Sequence, residues 1–199
     1  MIRAMKILLT VLIVVLALAA SALAFIYSGL YDVAASSPDE GLVHWVLETT
    51  QEHSVERQMK ASPVPPLSDP ALVQTGFTHY HEMCVTCHGA PGVEASEIGQ
   101  GLNPYPPELA TAAGEANPQE LFWIVKHGIK MTGMPSFGVT HTDQEIWAIV
   151  AFLRKLPKLS PQEYQALEQA ATASGEEHEH EAGEAGEHEH SHPPGTPPH

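Results

Sequence analysis

The chain has 199 residues, with 24 acidic against 9 basic side chains, a formal charge of −15 at pH 7 and two cysteines. That is room for one ordinary domain plus extensions, and the acidity argues against a nucleic-acid partner, because phosphate binding needs a basic face. Much of the charge is local: from Ser160 onward there are nine acidic residues and no Lys or Arg.

Arg3 and Lys6 precede an apolar run from Ile7 to about Tyr31, broken only by Thr10, Ser21, Ser28 and Gly29. It is long enough to cross a bilayer as a helix. Positive residues before it and Asp32, Asp39 and Glu40 after it place the N-terminus in the cytoplasm and the rest outside. The expectation is a single-pass anchor in the cytoplasmic membrane over 1–31, with the body on the periplasmic side. The alternative is a signal segment cut after Ala22-Leu23-Ala24, leaving a soluble periplasmic protein. Against the cut, apolar residues continue through Phe25, Ile26 and Tyr27.

The segment 32–68 reads as a juxtamembrane helix and a linker. Ser37-Pro38-Asp39-Glu40 has the form of a capping box, and Leu42, Trp45, Val46 and Thr49 come next at helical spacing, predicting an amphipathic helix to about Lys60. His44 and His53 on it are expected to be surface or packing residues. Pro63, Pro65 and Pro66 then make a stiff linker and a domain boundary.

Asp69-Pro70 opens a helix running to about Met83. Its Gly76 and Tyr80 share one face, and an interior glycine at that position points to a close helix crossing. The helix leads into Cys84-Val85-Thr86-Cys87-His88, a C-x-x-C-H pattern that reads as a c-type haem attachment site. Cys84 and Cys87 would form thioethers to the two vinyl groups, and His88 would be the proximal iron ligand. A zinc half-site would need two further ligands at finger-like spacing, and only scattered histidines such as His79 and His81 offer them. A thioredoxin-like pair expects a βαβ setting that the flanks lack. A plain disulfide makes no use of His88.

From Gly89 to Asn117 the chain is rich in Gly and Pro around Pro104-Tyr105-Pro106-Pro107-Glu108-Leu109, predicting an ordered, non-helical loop over something apolar. Asn117-Pro118 starts a helix with Leu121, Phe122, Ile124 and Val125 as its apolar residues, ended by Gly128. The loop 130–138 carries Met131 and Met134; Met134 lies between Gly133 and Pro135, aimed by the backbone, although methionines are often gap-filling core residues. Thr142-Asp143-Gln144-Glu145 is a capping box for a helix to Leu156, with Ile146, Ile149, Val150 and Leu153 as its buried stripe. A last capped helix runs from Ser160 to about Ala173. Beyond Ser174 almost nothing is apolar, which predicts a disordered His/Glu-rich tail over 175–199. Its His178, His180, His188, His190, His192 and His199 among glutamates suit weak divalent-metal binding; a merely solubilising acidic tail explains them as well.

With C-V-T-C-H at 84–88, T-G-M-P at 132–135 and a helix ending in Phe152-Leu153, the stretch from about Asp69 to Pro157, in a haem domain expected over 69–159, resembles the class I cytochrome c family, and the anchor segment resembles that of membrane-anchored bacterial single-haem members. The resemblance implies an all-α fold in which N- and C-terminal helices cross around one covalently bound haem c. It implies His88 and Met134 as axial iron ligands, Gly76 and Tyr80 crossing Ile149 and Phe152, and Pro107 and Leu109 lining the haem crevice. Gly133 and Pro135 flank Met134 and not Met131, which favours Met134 over Met131, His127 and His141. The expected function is one-electron transfer between membrane-bound redox proteins, a donor and an acceptor, with Lys126 and Lys130 near the haem edge placed to steer an acidic partner. The expectation is a carrier and not an enzyme; the alternatives are a cytochrome subunit of a membrane dehydrogenase or oxidase complex, and a haem enzyme or gas sensor with a displaceable Met.

Overall fold

A computed structural model describes residues 2–37, 41–59, 63–114 and 116–181, the stretch 173–181 as backbone only. Among the described residues the chain is helical, and its nearest approach to a strand is one isolated bridge between Ala90 and Val93. Helix α1 (Ile2–Ser28) buries none of its side chains. At 27 residues it is about 40 Å long, enough to cross a hydrocarbon core.

Helix α2 (Leu42–Gln58) begins later than the capping-box reading predicts. Its N-cap is Gly41, in the left-handed region at φ 72°, with no side-chain cap, and the Ser37 hydroxyl bonds Asp32 instead at 2.5 Å. Of that motif, Pro38, Asp39 and Glu40 lie outside the described residues, as does part of the linker, 60–62.

Helix α3 (Pro70–His79) starts as expected, with the Asp69 carboxylate accepting from Ala71 N at 3.0 Å. It then widens into a π-type turn over Tyr80–Cys84 before α4 (Val85–His88) completes the motif. Such turns recur at functional sites because the extra residue rotates the next turn of chain about the helix axis. The buried Tyr80 hydroxyl donates to Gly89 O at 2.6 Å, fastening this turn to the end of the motif.

The Gly/Pro-rich segment contains two single-turn helices, α5 (Glu97–Gln100) and α6 (Leu109–Ala112), where no helix was expected. Ser96 caps α5 through Gly99 N at 3.3 Å, and after Pro107 the run Leu109-Ala110-Thr111-Ala112 holds no proline to break a turn. Helix α7 (Pro118–His127) is capped by Asn117 and ended by Gly128 at φ 64°, as predicted.

Helix α8 (Asp143–Lys155) carries both bonds of its capping box. Its burial exceeds the predicted stripe: every residue from Ile146 to Leu153 is buried, because α3 and α7 both pack on it. The crossing with α3 is close. A Cβ on Gly76 would stand 1.9 Å from Ala148 O, and the Tyr80 and Phe152 rings lie 5.2 Å apart. Burying side chains such as Phe77, Ile149, Phe152 and Leu153 supplies about 1.5–3 kcal/mol each.

Helix α9 (Pro161–Glu181) runs past the predicted end near Ala173. Glu and Ala are strong helix formers, and no proline occurs between Pro161 and Pro193. Nor is α9 an appendage: Tyr164 is fully buried with its ring 5.7 Å from Phe77. The remainder of the tail, 182–199, lies outside the described residues.

Candidate functional site

The π turn and α4 deliver Cys84 buried and Cys87 and His88 half-buried onto the wall of one cavity of about 1780 Å³. Both cysteines are unpaired, so no disulfide competes for them. Burial, with Cys87 adding to it, pushes the free Cys84 thiol up to about 12, so it is protonated at neutral pH. Gly99 permits α5 to press against the motif: a Cβ there would fall 2.9 Å from Cys87 Cα.

His88 is oriented by a single bond. Its Nδ1 lies 2.8 Å from Pro107 O. A carbonyl can only accept, so Nδ1 carries the proton and the lone pair sits on Nε2, the tautomer a metal-binding imidazole requires. Burial also lowers the His88 pKa, against a smaller opposite effect of the Pro107 bond, which keeps the ring neutral. Pro107 therefore acts through its backbone, its ring being exposed, while Leu109 is half-buried on the same cavity.

Met134 is half-buried, lines the same cavity and packs against the core. Its loop is fastened at both sides: Met134 N donates to Thr132 Oγ1 at 3.1 Å, Ile129 N donates to Met134 O at 3.2 Å, and Ser136 Oγ donates to Lys126 O at 2.8 Å. Gly128 makes the close return possible, since a Cβ there would lie 2.7 Å from Met134 O. Gly133 abuts Leu102, another cavity residue, at 2.7 Å for a Cβ. Of the competitors, Met131 and His127 also line the cavity, but Met131 is 91% exposed at φ 63°. The His127 ring leans on Trp123, and His141 stands against His79 and Phe137 away from the cavity.

The cavity thus joins two thiols on one turn, a neutral imidazole with a free Nε2 and a thioether, among apolar side chains such as Met83, Leu121, Val125 and Leu153. This donor set and apolar lining fit a c-type haem. Residues 71–153 match the family model described as cytochrome c oxidase, cbb3-type, subunit III. This segment is a mono-haem c-type cytochrome domain. Its cofactor is one covalently bound haem c, and Cys84 and Cys87 stand in the matching attachment motif. No curated protein matches the chain.

Two features of the cytochrome domain escaped the sequence reading. Arg154, on α8, donates through one guanidinium nitrogen to the carbonyls of Ala113, Gly114 and Ala116, clamping the exit of the crevice loop. Nothing in the local pattern separates it from any helix-end arginine. Lys126, expected to steer a partner, is engaged instead with Asp143 at 2.5 Å and lies over the Phe122 ring. Lys130 remains exposed.

Proposed function

We propose that the chain is a membrane-tethered electron carrier of the periplasmic side, with Cys84 and Cys87 bonded to haem and His88 Nε2 and Met134 Sδ as the axial iron ligands. The observation that carries this reading is the His88–Pro107 hydrogen bond, which frees Nε2 toward a cavity that Met134 also lines. The haem supplies a one-electron Fe(III)/Fe(II) couple. His88 would hold the iron through Nε2 while its Nδ1 keeps its proton and donates it to Pro107 O, so no proton need move with the electron. Met134, a neutral soft donor, would hold the iron from its loop and favour the reduced state, which suits electron transfer over substrate binding. The fastened loops on both sides keep water out and limit movement on electron transfer. Helix α1, wholly apolar over its middle and unburied, supports the tether, and Arg3 and Lys6 at its start support a cytoplasmic N-terminus. Donor and acceptor are then redox proteins at the same membrane.

A second reading is a cytochrome subunit of a membrane oxidoreductase complex, favoured by the name of the matched family. The test of ligation is Met134→Ala: the sulfur-to-iron charge-transfer band of the oxidised protein should vanish, the potential should fall and carbon monoxide should bind, while Met131→Ala changes none of these. Survival of the band in the Met134 variant overturns the assignment. Detergent extraction and identification of co-purifying chains separate the free carrier from the subunit.

A further inference from the structure

The haem cavity has two unlike walls. One belongs to the cytochrome domain and is largely apolar, with Leu102, Leu109, Phe122 and Leu153 on it. The other is α2, which lies outside the matched segment. Along α2 the cavity-lining residues His44, Leu47, Gln51, Ser54 and Gln58 recur at intervals of three and four, with Glu48, Thr50, Val55 and the cationic Arg57 lining it beside them, so one side of the whole helix faces the cavity. The helix is seated there: Val55 is 4% exposed and α2 packs on α7. The chain just before α2 is tied to the crevice loop, where Asn103 Nδ2 donates to Ser37 O at 2.9 Å.

This seating is inverted. A helix packed on an apolar wall turns its apolar side inward, yet most of the cavity stripe is polar while Leu42, Val43, Trp45 and Val46 on α2 are exposed. Haem explains the inversion chemically. Its macrocycle is apolar and suits the domain wall, but it carries two ionised propionates, and a carboxylate kept from water needs hydrogen-bond donors. Gln58 Nε2 donates to Ser54 Oγ at 2.8 Å, which leaves the Ser54 hydroxyl proton free to donate elsewhere. Glu48, the one anion in the stripe, is already beside His44 at 3.4 Å.

We propose that α2 is the polar wall of the haem site, with Gln51, Ser54 and Gln58 donating hydrogen bonds to the haem carboxylates. The proposal rests on the covalent-haem reading and extends the site beyond the matched segment. The experiment uses the full-length, haem-loaded chain and its Gln51→Ala/Ser54→Ala/Gln58→Ala and Val55→Glu variants. The triple variant should keep its c-type spectrum and slow amide exchange in α2. Its midpoint potential should shift downward, because carboxylate charge no longer shared with donors acts more strongly on the iron. In Val55→Glu, where a charge replaces the buried seat, α2 amide exchange and trypsin cleavage after Arg57 should accelerate and the potential should shift the same way. An unmoved potential in the triple variant overturns the proposal, as does α2 exchange that is equally fast in the wild type and Val55→Glu. Absence of a c-type spectrum in the wild type would overturn the haem reading and this proposal with it.

Discussion

Gly76 has no room for a side chain, since a Cβ would stand 1.9 Å from Ala148 O on the crossing helix. Gly76→Ala should gain up to about 1 kcal/mol of helix propensity and still lose about 3 kcal/mol or more overall, because backbone must move to admit the methyl group. Denaturant unfolding of the haem-loaded protein measures this, and an unchanged midpoint would contradict the crossing. Tyr164 is the opposite case: its ring is fully buried, but its hydroxyl has no hydrogen-bond partner among the described residues, and burial raises its pKa. Tyr164→Phe should leave stability unchanged or slightly higher, since the desolvated hydroxyl goes without stranding a partner. Tyr164→Ala should cost about 3–5 kcal/mol. A large loss in the Phe variant would show that the hydroxyl has a partner.

Two helices owe their starts to reciprocal caps. Glu145 accepts from Thr142 N at 2.7 Å, and Glu163 accepts from Ser160 N at 2.7 Å. In each case the backbone bond is the main cause that lowers the carboxyl pKa below the ordinary 4.5. A folded-state pKa below the unfolded one means the unfolded chain binds more protons in between, so the stabilisation is full above about pH 4.5 and is lost as pH falls through the lowered value. Glu145→Gln and Glu163→Gln should therefore each flatten the acid limb of the melting temperature against pH, with little change in slope at neutral pH. An acid limb unaltered by either variant would show that the caps are not felt in solution. The π turn is an element-scale device of another kind, placing the two thiols and His88 on the cavity wall while Tyr80 stays in the core.

At the scale of the whole molecule, the apolar α1 precedes a domain whose core is complete without it. The mature protein should sediment with membranes through a high-salt wash and be released only by detergent. An N-terminus at Phe25 by mass spectrometry, with the protein soluble, would establish the cleaved signal instead. Helix α9 joins the core through Tyr164, and its Glu168 lies 3.5 Å from His81 on the π turn. The cytochrome domain is thus backed by a helix C-terminal to the matched segment as well as faced by one N-terminal to it.

The sequence alone determined the haem-attachment motif and most of the element starts. Cysteines three apart with a histidine directly after them, and the caps at Asp69, Asn117, Thr142 and Ser160, are local signals: each acts within a few residues, so spacing suffices to read it. Tertiary structure alone decided the features that depend on partners remote in the chain. The burial of all of Ile146–Leu153 needed both α3 and α7. The inclusion of Tyr164 in the core needed Phe77, and the clamp of Arg154 needed carbonyls about forty residues away. The late start of α2 came from Ser37 bonding Asp32 and facing Asn103 rather than capping a helix. The side α2 turns to the cavity could not be read from its own pattern, because periodicity reports which residues share a face, and only packing decides what that face meets.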